Sequence, residues 1–168
     1  MVTFRSAPLA EATTLAGPIV ADLWVSTSGS GSDWVVKVID QFPADGGVFK
    51  HEDGTEIPSG DYEMMVRSEV IRGRFRGGLD KPVPFSPNKA TRVSVPLQDV
   101  LHTFGKGHRI VVQLHSTWFP LVDINPHHYA ANVFKAKASD FVAATQRVYR
   151  DAAHPTKLDV QVLVEAPK

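Results

Sequence analysis

Seven histidines, at positions 51, 102, 108, 115, 127, 128 and 154, carry the widest chemical range in this chain, since imidazole ligates metals, moves protons and orients nucleophiles. Their spacing suits none of these tasks. Adjacent His127 and His128 do not readily turn both rings onto one ion within a regular element, and no His-x-His with a downstream glutamate occurs. Histidines that hydrogen-bond in loops are the favoured reading, and no metal site is assigned. Asp45, Glu52, Asp53 and Asp61 have the oxygen chemistry of a calcium loop without its regular ligand spacing, so they read as solvated loop acids. The strained turn that exposes a nucleophilic serine is written Gly-x-Ser-x-Gly, and this chain has none. Ser28 and Ser30 lie among glycines in a connector with no strand-to-helix context. With no cysteine there is neither thiolate chemistry nor a disulfide framework, which suits cytoplasm and periplasm alike. No catalytic residue and no cofactor is assigned from spacing.

Two further stretches invite an interaction. Arg72-Gly-Arg-Phe-Arg-Gly-Gly78 has the look of an arginine-glycine RNA segment, but it is a single copy with a single phenylalanine. The chain carries 18 basic and 18 acidic side chains, so no global field gathers nucleic acid or an anionic membrane. An exposed loop or a subunit contact is expected there. Trp118 and Phe119 are either packed at a strand end or form an apolar wall facing a ligand or partner.

The elements that must hold these residues are strands. Gly105 to Pro126 begins with a two-glycine turn and continues as an alternating strand, Ile110, Val112 and Leu114 against Arg109, Gln113 and His115. It ends at Phe119-Pro120, where the ring removes a backbone donor, and the chain leaves again at Asn125-Pro126. Val2 to Ser6 reads as a short edge strand and Ile19 to Val25 as a second strand. Trp34 to Phe42 reads as a central one, with Trp34, Val36, Val38 and Phe42 on one side. Residues 43–60 are turn chemistry and predict a long surface connection. Tyr62 to Ile71 alternates next. Thr91 to Leu97 follows, leading into a helical turn near Gln98 to His102. Ser139-Asp140 caps one short turn before Thr145 to Arg150, and Leu158, Val160, Val162 and Val164 form a closing strand.

A chain of 168 residues with 43% hydrophobic content fills one core, so residues 1–168 are expected to form a single domain. No window is long and apolar enough to span a bilayer, and a soluble chain is expected. Many short strands, long proline- and glycine-rich connections and almost no helix predict an all-β fold. The expected form is an antiparallel β-sandwich of Greek-key or jelly-roll type with one or two short helical turns.

Several separated stretches, in order, resemble one family. They are Ser26-Thr-Ser-Gly29, Ser32-Asp-Trp-Val-Val-Lys-Val-Ile-Asp40, Phe104-Gly-Lys-Gly-His-Arg-Ile110 and Ser116-Thr-Trp-Phe-Pro120. Together they resemble the C-terminal domain of X-Pro dipeptidyl peptidases and cocaine-esterase-like hydrolases. Asn125-Pro126, Asn132-Val-Phe134, Ala138-Ser-Asp-Phe141 and Gln146-Arg-Val-Tyr149 are most similar to the α-amino acid ester hydrolase and glutaryl-7-aminocephalosporanic acid acylase branch. His127-His128 departs from the Gln-Thr usual in those acylases. The resemblance implies a jelly-roll domain that is itself non-catalytic. It implies an α/β-hydrolase partner domain, outside these 168 residues, that supplies the Ser, Asp and His of a triad acting on α-amino esters, β-lactam side chains or related acyl compounds. The domain would cover that partner, help wall the acyl pocket and supply contacts for a homo-oligomer. The expected contact residues are Trp34, Trp118, Phe119, Asp123 and Asn125. The alternative is a free-standing carbohydrate- or ligand-binding sandwich with Trp24, Trp34 and Trp118 as stacking platforms, and a small metal enzyme is a third reading.

Overall fold

Period-two alternation governs the chain, as it must where each strand has one buried face. A computed structural model describes residues 1–164. The strands are β1 (Val2–Arg5), β2 (Thr13–Thr27), β3 (Asp33–Gln41), β4 (Val48–Lys50), β5 (Glu56–Pro58), β6 (Glu63–Arg72), β7 (Thr91–Phe104), β8 (Arg109–His115), β9 (Gln146–Val148) and β10 (Lys157–Asp159). One antiparallel sheet has the order β1-β8-β3-β6. The other has β2 at its centre, with β7 along one side and β10 and β9 on successive stretches of the other. The all-β sandwich expected from the alternation is the fold observed.

The core is what the two inner faces share. Ile19, Ala21, Leu23 and Val25 of β2 and Val93, Val95 and Leu97 of β7 belong to one buried cluster with Trp34, Val36, Val38 and Leu114 from the opposite sheet. Strand β3 is central, and its other face is covered too, since Val35 and Ile39 are buried along with Val111 of β8. The cover is made of long polar side chains. Arg5 and Glu63, on strands at opposite edges of the sheet, form an ion pair at 3.4 Å, and Gln113 Nε2 donates to Glu63 at 3.4 Å. Such a pair has to cross β8 and β3, laying its methylenes over Val111 and Ile39.

Four sequence expectations need correction. The helical turn at Gln98 to His102 is absent: β7 runs unbroken to Phe104, because Val100 and Phe104 are both core residues. A register irregularity between Gly17 and Ile19 absorbs the local mismatch, so β2 starts at Thr13 rather than Ile19. Pro96 is accommodated because β7 is an edge strand. The connection at 43–60 contains the β4–β5 ladder, where Phe49 packs edge-on against Phe42 and Tyr62 at 5.5 and 5.3 Å. The closing run is a three-residue strand followed by a single bridge from Val162 to Leu15, and Val160, Val162 and Val164 are exposed. The end of that run, residues 165–168, lies outside the described residues.

Helix among the described residues is limited to single 3-10 turns at Gly73–Phe75, Val133–Lys135 and Ala138–Asp140. The last is the turn expected near Ser139-Asp140, closed by Lys137 N donating to Asp140 Oδ2 at 2.8 Å. Between β7 and β8 the chain passes from one sheet to the other through Gly107, whose φ of 82° suits a residue without Cβ.

Candidate domain-docking surface

Between β8 and β9 the chain makes a strap, residues 116–145, that contains no strand and only the last two 3-10 turns. A segment of this length without a ladder must find partners for its backbone elsewhere. The serine-glycine connector 26–32 supplies them. Ser28 Oγ accepts from Thr145 N at 2.9 Å, Ser30 Oγ accepts from Tyr129 N at 3.0 Å, and the amides of Ser30 and Gly31 donate to His127 O at 3.1 and 3.2 Å. Only bare backbone lets the connector and the strap approach so closely: a Cβ on Gly29 would strike His127 O.

Charged groups tighten the same underside. Asn125 Nδ2 donates to Asp33 Oδ1 at 2.8 Å, and Asn125 Oδ1 accepts from His127 N at 2.8 Å. Asp33 is 3% exposed. Burial pushes its carboxyl above the ordinary carboxylate value, opposed by the Asn125 hydrogen bond and by Arg72. Arg72 holds Asp123 through both terminal nitrogens, and Arg74 donates to the carbonyls of Ala130 and Ala131. Arg76 ties the neighbouring loop through Gly73 O, Val83 O and Pro84 O, and burial lowers its pKa. Of the two expectations for the Arg72 to Gly78 stretch, an exposed loop or a subunit contact, the exposed loop gives way to an internal clamp made by its arginines. Bidentate guanidinium geometry is suited to that work.

Large apolar side chains of the strap stand exposed among polar ones. Phe119, Leu121 and Phe134 are 65, 69 and 84% exposed, and Ile124, Phe141 and Val142 are exposed as well. A segment fixed by its polar groups and leaving large apolar groups exposed has the chemistry of an interface.

Four of the five expected contact residues, Trp118, Phe119, Asp123 and Asn125, fall in this strap, in different settings. Phe119 faces out, and Trp118 is half-buried with Lys37 Nζ 4.4 Å from its ring centroid. Asp123 and Asn125 are turned inward as anchors. Trp34 is 2% exposed and sits in the core, because the alternation of β3 points it between the sheets. Trp24, Trp34 and Trp118 share no face: Trp24 lies on the second sheet against His154, Trp34 is interior, and Trp118 belongs to the strap. They do not form a joint stacking platform.

Sequence reasoning passed over Leu121, Phe134 and Phe141. Their signal was a run of isolated large apolar residues with no period of 2 or 3.6. It also passed over Asp40, 1% exposed, whose two oxygens meet His102 Nε2 at 2.9 Å and His108 Nδ1 at 2.8 Å. This carboxylate links β3 in one sheet to β7 in the other, at the end of the sandwich away from the strap. The remaining paired rings are His115 with Gln113, His127 with Val142 O and His154 with Asp151, so no serine hydroxyl is among these partners. Among the described residues no three of His, Asp and Glu converge as metal ligands would.

Residues 1–159 match the family described as the X-Pro dipeptidyl-peptidase C-terminal non-catalytic domain. The chain belongs to that family. The cocaine esterase of Rhodococcus sp. (strain MB1 Bresler) is 24% identical over 163 residues, covering 97% of this chain and 25% of the esterase. Two solved structures are more similar in sequence: an aminopeptidase from the marine sediment archaeon Thaumarchaeota archaeon and an α-amino acid ester hydrolase labelled with selenomethionine. Each superposes with a TM-score of 0.87 at 39% identity, covering 96% of this chain and 25% of the other. The chain thus spans a quarter of the length of these relatives, and the resemblance traced in the sequence is a family relationship.

Proposed function

We propose that this domain covers the α/β-hydrolase domain of a serine hydrolase acting on esters or amides, of the α-amino acid ester hydrolase and glutaryl-7-aminocephalosporanic acid acylase kind. In that role it helps to wall the acyl pocket and supplies subunit contacts. The single observation that carries the reading is the strap, anchored on Asp33, Arg72 and Arg74 and leaving Phe119, Leu121 and Phe134 exposed. Family membership in a non-catalytic C-terminal domain, and relatives about four times as long that include an esterase, an aminopeptidase and an ester hydrolase, support it from outside the chain. Crossings between the sheets at β1–β2, β2–β3, β6–β7, β7–β8 and β8–β9 support the jelly-roll topology.

The chemistry expected of the assembled enzyme is acyl transfer to a serine activated by histidine, with the triad on the covered domain. What this chain contributes is exclusion of water and a rigid wall, because a strap held by charge-assisted hydrogen bonds fixes the position of its aromatics.

The test is association. The 168-residue chain is titrated into the hydrolase portion of an α-amino acid ester hydrolase prepared without its last domain, and binding and ester turnover are followed together. Binding with a gain in turnover is expected. The double change Phe119→Ser and Phe134→Ser is expected to weaken binding by about tenfold or more, the scale of losing aromatic anchors from an interface. Absence of binding, or binding unchanged by that pair, contradicts the proposal.

A further inference from the structure

Basic and acidic side chains are equal in number over the whole chain, yet they are not evenly spread. Residues 43–63, at the end of the sandwich away from the strap, contain six acidic side chains and a single lysine. Lys50 pairs with Glu56 and Arg5 with Glu63, while Asp45, Glu52, Asp53 and Asp61 have no ion-pair partner among the described residues. The strap has two acids and two lysines, and they are used differently. Asp123 is held by Arg72, and Asp140 Oδ2 accepts from Lys137 N at 2.8 Å. Lys135 and Lys137 are exposed and form no ion pair among the described residues.

Arg74 adds a third cation without a carboxylate. Its two terminal nitrogens donate to the carbonyls of Ala130 and Ala131, and no acid stands within ion-pair distance of it among the described residues. With Arg72, Phe75 and Phe134 it borders an open hollow of about 250 Å³. Lys135 belongs to the same 3-10 turn as the exposed Phe134. The charge that is left over at the strap is therefore positive and lies beside its apolar residues. Strand β3 starts next to the strap at Asp33 and ends next to the acidic segment at Gln41, nine residues that span about 30 Å at about 3.3 Å each. That exceeds the Debye length of about 8 Å at physiological ionic strength, so each end acts on a partner by itself. Charges at the rim of an apolar contact steer encounter and suppress wrong pairings.

We propose that the hydrolase domain meets the strap with a surface whose apolar centre is bordered by carboxylates, opposite Lys135, Lys137 and Arg74, and that this polarity selects the strap over the acidic end for docking. The carboxylate border refines the docking role proposed above and rests on it.

The experiment titrates the 168-residue chain into the hydrolase portion of an α-amino acid ester hydrolase at about 0.01 M and about 1 M salt, where the Debye length is about 30 and about 3 Å. The unaltered chain is expected to bind about tenfold more tightly at the lower salt. Lys135→Glu with Lys137→Glu is expected to weaken low-salt binding about tenfold and to remove most of the salt dependence. Lys50→Glu with Lys106→Glu makes the same change in net charge at the other end of the sandwich and is expected to leave the Kd within about twofold. All four lysines are exposed, so each variant is expected to melt as the unaltered chain does. Binding that is indifferent to salt and to the strap pair, that is tightened by the strap pair, or that is weakened equally by both pairs overturns the carboxylate border. The docking role survives that outcome if Phe119→Ser with Phe134→Ser still weakens binding, whereas no binding at either salt removes both.

Discussion

Asp33 is a carboxylate with almost no access to water, held by one side-chain amide and facing Arg72. Burial outweighs these partners and raises its folded-state pKa, so the folded form prefers the protonated acid more than the unfolded chain does. The stabilisation linked to that proton is complete below the unfolded pKa and is lost as pH rises through the folded one. Asp33→Asn keeps an oxygen to accept from Asn125 Nδ2 and removes the buried charge. Its melting temperature relative to the unaltered chain is expected to rise between pH 4 and pH 7, on the order of 3 °C, the change that about 1 kcal/mol produces in a chain of this size. A difference that is constant or falls over that range contradicts the assignment. Asp40 shows another use of a buried acid, since two imidazoles meet its two oxygens and join the sheets. Neither carboxylate stands out in the sequence, where Asp33 follows a serine-glycine run and Asp40 lies near the end of a strand. Their partners lie 92 residues away in the first case and 62 and 68 in the second.

The strap and the serine-glycine connector act as one element. The connector has no large side chain, so its amides and hydroxyls stand close enough to bond a second backbone, and Gly29 sits where any Cβ would strike His127 O. Gly29→Ala is therefore expected to push the strap off its seat and to cost about 1–3 kcal/mol of unfolding free energy, measured by urea denaturation. Stability equal to that of the unaltered chain would show that the strap does not depend on this contact. The strands themselves were legible because β2, β3 and β8 alternate over six or more residues and each buries one face in the shared core. The β4–β5 ladder was hidden by turn residues on both sides, and the continuation of β7 was hidden because its buried residues pass from Leu97 to Val100, a spacing of three that breaks the alternation. The strap was legible as a departure from the sheet at Phe119-Pro120, with Trp118, Phe119, Asp123 and Asn125 in it. Which of its side chains anchor and which stand exposed was not, because that is set by contacts with β3, β6 and the connector and leaves no period in the chain.

At the scale of the molecule, a sandwich with a shared buried core and a strap that leaves large apolar side chains exposed offers a surface suited to a partner. The chain matches a quarter of the length of its relatives, within the family of C-terminal non-catalytic domains. Binding a hydrolase domain over the strap would bury Phe119, Leu121, Phe134 and Phe141, each worth up to about 1.5–3 kcal/mol if fully covered, enough in sum to offset much of the entropy lost on docking. On the proposed docking, the opposite end of the sandwich, with the Asp40 pair and the β4–β5 ladder, would have no part in that contact. Hydrogen–deuterium exchange of the 168-residue chain, alone and with the hydrolase portion of an α-amino acid ester hydrolase, tests this most directly. Slowed exchange in residues 116–145 with little change in residues 43–60 is the expected result; protection confined to 43–60, or none anywhere, would contradict it.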